Sequence, residues 1–292
     1  MVMKMKCKLC PRLCNKSRID ESSVGYCKMT NTIFVSKIAP HFWEEPVISG
    51  ENGTAAVFFT GCSLDCIYCQ NSEISQQNQG IPMTINEIVE KLNILIDKGC
   101  HSVSFVTPTH YSHKVVEIIK ALQPKVPVVY NTSGYERIDT LKSLENYIDI
   151  YLPDFKYCNN ALAKELSNAP DYFDVVVKAL KEMVRQTGSP KINSNGIMTN
   201  GTIVRNLVLP NYTANSIKII EYLSENYSDK ILFSLMAQYT PHGKALNHPK
   251  LNRKITRREY NKVLAKLENS SLDGFCQDLT SANDKYIPKW DI

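Results

Sequence analysis

Six short apolar runs, each followed by a polar, turn-rich cluster, set the strongest limit on the fold. They are AAVFF at 55–59, SVSFV at 102–106, VPVVY at 126–130, IDIYL at 148–152, TIVRNLVL at 202–209 and ILFSLM at 231–236. Each is short, continuous and rich in β-branched or aromatic residues, as strands buried on both faces are. Helical patterns separate them. Thr84 and Glu87 make a capping-box pair before IVEKLNILIDKG, with Gly99 as its stop, and Thr256 and Glu259 repeat that spacing before REYNKVLAKLE. HKVVEIIKAL at 113–122, DYFDVVVKALKEMVRQTG at 171–188 and TANSIKIIEYL at 213–223 are further helices. Alternating strand and helix predicts an α/β fold with a parallel sheet and right-handed crossovers.

The unusual residues fall where such a sheet collects its ligands. GCSLDC follows the first strand, TPTH the second, NTSGY the third, PDFKY the fourth, PN the fifth and AQYTPHG the sixth. In parallel α/β sheets and barrels, the rim past the C-terminal strand ends is the functional face. The first 50 residues precede the first strand and hold their own cysteines. The expected organisation is therefore a cysteine-rich metal-binding module at 1–50 and an α/β unit at 51–292.

Composition narrows the classes. Of 292 residues, 43% are hydrophobic and 22% charged, a globular balance. No run reaches the roughly 18 apolar residues of a membrane span, and no apolar stretch follows the basic N-terminus, so a cytoplasmic protein without a membrane partner is expected. Seven of the ten cysteines sit in two tight clusters, which favours thiolate ligation of metal over disulfides. A net charge of +5 is too small to announce a nucleic-acid binder. The basic run KLNRKITRRE at 250–259 reads as a solvated loop entering a helix, with contact to an acidic partner as the other reading.

In GCSLDCIYCQN at 61–71, Cys62, Cys66 and Cys69 are spaced as one face of a helix, but Gly61, Ser63 and Asp65 make the stretch a loop. Thiolates suit iron–sulfur clusters, copper(I) and zinc, and a cubane has four irons that each need an outer ligand. Three cysteines leave one iron open. An open position is what a catalytic site keeps for a substrate, whereas a structural site is closed. Something other than cysteine completes this site.

The pattern Cys62, Cys66, aromatic Tyr68, Cys69 on the loop after the first strand resembles the radical S-adenosylmethionine superfamily. The runs CKLCPRLC, GCSLDCIYCQNSEIS, VTPTHY, VPVVYNTSGYE, DIYLPDFKY, IVRNLVLPN and LMAQYTP extend the likeness, over nearly the whole chain, to a subgroup similar to pyruvate formate-lyase activating enzyme. The resemblance implies a partial (βα)6 TIM-like barrel. It implies that Cys62, Cys66 and Cys69 hold a catalytic 4Fe-4S cluster whose open iron is chelated by S-adenosylmethionine. A reduced cluster then cleaves that cosubstrate to a 5'-deoxyadenosyl radical, which takes hydrogen from a protein glycine, a peptide or a small molecule. An electron donor such as flavodoxin or ferredoxin is the implied partner.

Around the cofactors the resemblance places Tyr68, Thr107, Thr109, His110, Asn131, Thr132, Asp154, Lys156 and Arg205. Thr107, Pro108, Thr109 and His110 stand where the superfamily often has Gly-Gly-Glu; their hydroxyls and carbonyls can accept hydrogen bonds. His110 reads as a proton-transfer group or as a rim histidine. Asn131 replaces an acid that helps hold a monovalent cation in the activating enzymes. Asp154 and Lys156 suit the zwitterionic end of the cosubstrate, or form a rim salt bridge. Arg205, inside a strand, must pair or bind an anion. Gln238, Tyr239 and His242 face the substrate or belong to the scaffold.

Cys7, Cys10, Cys14 and Cys27 supply four thiolates, enough for a closed site holding zinc or an auxiliary 4Fe-4S cluster. Cys100, Cys158 and Cys276 are single and read as incidental. Two rivals predict otherwise. A metal-stabilised nucleic-acid-binding protein would have two closed sites and salt-sensitive binding; an electron carrier would need a fourth protein ligand near 62–69.

Overall fold

The computed structural model describes residues 6–18, 24–282 and 290. In chain order the strands are β1 (Ile33–His41), β2 (Thr54–Phe59), β3 (Ile81–Met83), β4 (Val103–Val106), β5 (Val128–Thr132), β6 (Ile150–Pro153), β7 (Lys191–Ile192), β8 (Met198–Leu207), β9 (Leu232–Met236) and β10 (Gly274–Cys276). The helices are α1 (Pro46–Ser49), α2 (Ser72–Ser75), α3 (Ile85–Asp97), α4 (Ser112–Ala121), α5 (Ile138–Ser143), α6 (Asn160–Ser167), α7 (Tyr172–Thr187), α8 (Thr213–Tyr227) and α9 (Arg257–Glu268). The sheet order is β10-β9-β8-β6-β5-β4-β2-β1-β3, with β7 paired to β8.

The six expected strands are β2, β4, β5, β6, β8 and β9, and they run parallel to one another. Every residue of β2, β4, β5 and β6 is buried, as their continuous apolar runs require. Both capping boxes form, at Thr84 with Glu87 and at Thr256 with Glu259. Helix α3 buries Ile88, Leu92 and Ile96, one residue per turn, in the same core as Val57 and Phe105. Burial of such side chains stabilises the layer by about 2 kcal/mol each. This is the partial TIM-like barrel expected for an α/β chain.

The sheet crosses the boundary expected at residue 50. Strand β1 pairs antiparallel with β2 from Val35 opposite Phe59 to His41 opposite Thr54, and β3 extends that edge. Cys27 and Met29 pack in the barrel core beside Phe59 and Phe105. Residues 1–5 and 19–23 of the expected module, and 283–289 and 291–292 of the α/β span, lie outside the described residues.

The chain between β1 and β2 closes the floor of the barrel. Pro46 occupies the first turn of α1, where its missing N–H costs nothing. Val47 and Ile48 then pack against Val129, Ile150, Leu152, Met198, Ile203 and Leu232. Side chains two apart on a strand share a face. Asn131 therefore stands above Val129, Asp154 above Leu152, Arg205 above Ile203 and Ser234 above Leu232. An apolar layer thus underlies a polar one.

Candidate active site

Gly61 turns the chain from β2 into the cysteine loop with φ of 86°. A Cβ there would lie 2.5 Å from Met29 Cγ and 2.8 Å from Cys27 O, so the turn needs glycine for its backbone and for its neighbours. The loop that follows is not helical. The C-terminal end of α6 clamps it: Asp65 N–H donates to Ser167 O at 3.2 Å and Ile67 N–H to Leu166 O at 2.9 Å. Gln76 Nε2 donates to Cys66 O at 2.8 Å.

Each of the three sulfurs has a polar neighbour. Leu64 N–H donates to Cys62 Sγ at 3.4 Å, Ser167 Oγ–H donates to Cys66 Sγ at 2.9 Å, and Ser75 Oγ lies 3.3 Å from Cys69 Sγ. Burial pushes all three thiols up, Cys66 to about 11, while Lys156 pulls each down. Desolvated thiols like these ionise when a metal supplies the compensating charge. A donor set of three soft, hydrogen-bonded sulfurs on one cavity fits a 4Fe-4S cluster with one open iron.

The same cavity is lined by Thr107, Asn131, Thr132, Asp154, Lys156 and Arg205. Arg205 is the hub of its polar layer. Its Nε donates to Asp154 Oδ1 at 2.9 Å, Nη1 to Glu44 Oε2 at 3.0 Å and Nη2 to Asn131 Oδ1 at 2.7 Å. Asn131 Nδ2 closes the ring by donating to Glu44 Oε1 at 2.7 Å. Lys156 Nζ donates to Asp154 Oδ2 at 2.6 Å. Burial works against the Asp154 carboxylate, but Arg205 and Lys156 outweigh it and hold its pKa below the usual range. Charges of both signs beside a cluster site fit the amino and carboxylate groups of S-adenosylmethionine.

The sequence reading missed two members of this layer. Glu44 and Glu45 come from the floor segment, outside the strand ends where ligands are normally sought. Burial raises both carboxyls, Glu45 to about 7 with Arg205 opposing and Glu44 adding to the rise. Glu45 Oε2 is buried without a hydrogen-bond partner and the residue lines the cavity. The only hint in the sequence is two adjacent acids before Pro46.

The other expected residues divide between the cavity and the scaffold. Tyr68 lines the cavity, but its hydroxyl is bonded to Tyr157. Thr107 lines it with φ of 57°, a strained value for a β-branched residue. Thr109 and His110 are corrections, since neither lines the cavity. Thr109 Oγ1 donates to Glu136 Oε1 at 2.5 Å, as does Thr132 Oγ1. His110 Nε2 lies 2.7 Å from Thr60 O, and burial together with the Arg18 charge lowers its pKa to about 3. A neutral, enclosed imidazole is no proton carrier near pH 7. Gln238 lines the cavity, whereas Tyr239 is scaffold, its hydroxyl donating to Leu251 O at 2.6 Å. His242 is not among the lining residues.

Cys7, Cys10, Cys14 and Cys27 lie within electrostatic reach of one another. Burial, then the other three thiols, push Cys10 up to about 12 despite a backbone hydrogen bond that lowers it. Cys14 Sγ accepts Tyr26 N–H at 3.1 Å. All ten cysteines are free. Among the described residues no three His, Cys, Asp or Glu are grouped closely enough to hold a single metal ion. Arg18 ties this segment to the barrel, donating to Thr30 O and, at 2.6 Å, to His110 O. Among the described residues no helix is long and apolar enough to cross a membrane.

Known proteins place this geometry. The Radical SAM superfamily pattern matches residues 56–223. An uncharacterized protein of Methanocaldococcus jannaschii is 30% identical over 277 residues, covering 91% of this chain and 75% of that protein. A putative glycyl-radical enzyme activating enzyme of Haemophilus influenzae is 29% identical over 119 residues, 37% of this chain and 43% of that one. Streptococcus suis SuiB bound to its precursor peptide SuiA superposes with a TM-score of 0.53 at 16% identity, over 76% of this chain and 48% of SuiB. A radical SAM methyltransferase from Sphaerobacter thermophilus gives 0.53 at 11% identity, over 77% and 66%. The chain spans about half the length of SuiB, and these two likenesses concern the fold. The chain belongs to the Radical SAM superfamily and is a radical S-adenosylmethionine enzyme. Membership implies a 4Fe-4S cluster and S-adenosylmethionine.

Proposed function

We propose that this enzyme abstracts hydrogen from a glycine residue of a partner protein. When bound, the cluster and S-adenosylmethionine supply an electron and a 5'-deoxyadenosyl radical. The chain's own residues do the rest: Cys62, Cys66 and Cys69 hold the cluster, while Asp154, Lys156 and Arg205 orient the amino acid end of the cosubstrate. The barrel walls keep water from the radical. The observation that carries the glycine reading is the local likeness to a putative glycyl-radical enzyme activating enzyme. Phe42 and Trp43, 49% and 60% exposed beside the cavity, offer an apolar collar that suits a polypeptide.

We also propose a second metal, zinc or 4Fe-4S, at Cys7, Cys10, Cys14 and Cys27, on the number of thiols and their close spacing in the chain; a single zinc would have to draw them closer than they stand. A reducing compartment, the cytoplasm, suits ten free thiols, and a flavodoxin or ferredoxin is the electron donor that fits the chemistry. The nucleic-acid reading has lost its motive, because Arg253 of the basic run is bound by both oxygens of Glu259, at 2.7 and 2.9 Å.

The test is oxygen-free incubation of reduced enzyme and S-adenosylmethionine with peptides carrying α,α-dideuterated glycine. Deuterium in the 5'-deoxyadenosine product supports glycine as the donor. Unlabelled 5'-deoxyadenosine across a broad peptide set would remove the glycine reading and leave the cleavage reaction standing.

A further inference from the structure

Three hydroxyls stand in series behind one cluster ligand. Tyr68 Oη lies 2.7 Å from Tyr157 Oη, Tyr157 Oη is hydrogen-bonded to Ser167 Oγ, and Ser167 Oγ donates to Cys66 Sγ at 2.9 Å. Tyr157 and Ser167 are fully buried and Tyr68 is 8% exposed, so water does not substitute for any of them. The direction of the series follows from its end. A metal-bound thiolate carries no proton, so Ser167 must donate to it. Ser167 Oγ is then free to accept from Tyr157, whose oxygen can accept from Tyr68. Aligned donors polarise one another, which strengthens the last bond of the series.

Local structure fixes this geometry. Ser167 ends α6, and Asn168 caps the helix in the left-handed conformation with φ of 50°. The Ser167 carbonyl accepts Asp65 N–H from the cysteine loop, so backbone and side chain of one residue both hold that loop. Tyr157 is wedged edge-on to Tyr172, with ring centroids 5.3 Å apart. Tyr68, inside the cysteine motif, therefore presents its ring to the cavity and its hydroxyl to the series.

We infer that the Tyr68, Tyr157 and Ser167 hydroxyls, acting through Cys66, raise the reduction potential of the cluster and so ease the electron transfer that starts the reaction. This rests on the radical S-adenosylmethionine reading above. Reduction adds negative charge to the cluster and its sulfurs, and a donor to sulfur stabilises the reduced form more than the oxidised one. Ser167 is a positioning residue: it acts through Cys66 and need not touch the substrate.

The experiment is a redox titration of the holoenzyme followed by electron paramagnetic resonance, comparing wild type with Ser167→Ala, Ser167→Thr and Tyr157→Phe, each assayed for iron. Ser167→Ala is expected to lower the reduced-to-oxidised ratio about tenfold at a fixed poise, about 59 mV for a one-electron couple. Ser167→Thr keeps a hydroxyl and should restore most of it. Tyr157→Phe should shift the midpoint in the same direction by less, and it decides the matter if Ser167→Ala fails to retain iron. Full iron with unshifted midpoints overturns the inference alone. A wild type with no S-adenosylmethionine-responsive cluster signal would instead overturn the reading beneath it.

Discussion

The two cysteine-rich regions differ in what surrounds their sulfur. In the loop after β2, each of three thiols has a named polar neighbour, and all three line a cavity that also holds Asp154, Lys156 and Arg205. In the N-terminal segment, four thiols are wound together by turns with Leu13, Asn15 and Arg18 at positive φ, and that cavity is lined by none of them. Number of thiols and access to the cavity separate the two regions, and with them the role proposed for each. Three on a cavity leave a place for a cosubstrate; four that stand off it do not.

Removing either set is the most direct way to break that comparison. Changing Cys62, Cys66 and Cys69 to Ala should remove about 4 irons and reduce S-adenosylmethionine cleavage to background. Changing Cys7, Cys10, Cys14 and Cys27 should remove zinc, or about 4 different irons, and leave the first set in place. Metal and sulfide analysis of oxygen-free protein reads both. Cleavage that survives loss of the first set would undo the distinction.

The segment joining the two regions should respond next most strongly. Glu44→Ala leaves Arg205 buried with one fewer carboxylate, and breaking such a pair costs about 3 kcal/mol. Thermal unfolding and the affinity for S-adenosylmethionine should both weaken, with Glu44→Gln intermediate. Gly61→Ala drives a methyl against Met29 and Cys27, where the regions touch, and should cost about 2 kcal/mol. An unchanged melting temperature in that variant would mean that the two regions are not in firm contact.

An effect confined to one range of pH concerns Glu136, behind the cavity wall. Burial raises its carboxyl from 4.5 to about 7, although Thr109 and Thr132 donate to it. The folded chain thus holds a proton that the unfolded chain releases, so stability should fall as pH rises from about 4.5 to about 7 and level off above. Glu136→Gln should flatten that slope, which melting temperature measured against pH reads.

Much of this molecule was legible in its sequence because parallel strands buried on both faces announce themselves as continuous apolar runs. The capping boxes at Thr84 and Thr256 fixed helix starts to the residue. Topology then put Asp154, Lys156 and Arg205 on the cavity. That topology rule names a rim and does not say which way a side chain turns from it, so Thr109 and His110 were assigned to a cavity they do not line. Glu44, Tyr157 and Ser167 were missed because their roles depend on contacts between distant parts of the chain: Glu44 meets Arg205 across 161 positions, and Ser167 meets Cys66 across 101. No local pattern encodes such meetings.

The floor of the barrel lies outside the span 56–223 that marks the superfamily, whereas the walls lie mostly within it. The two are nevertheless joined, since Glu44 of the floor holds both Arg205 and Asn131 of the walls. A change at Glu44 is therefore felt in the wall, where Arg205 and Asn131 each lose a partner.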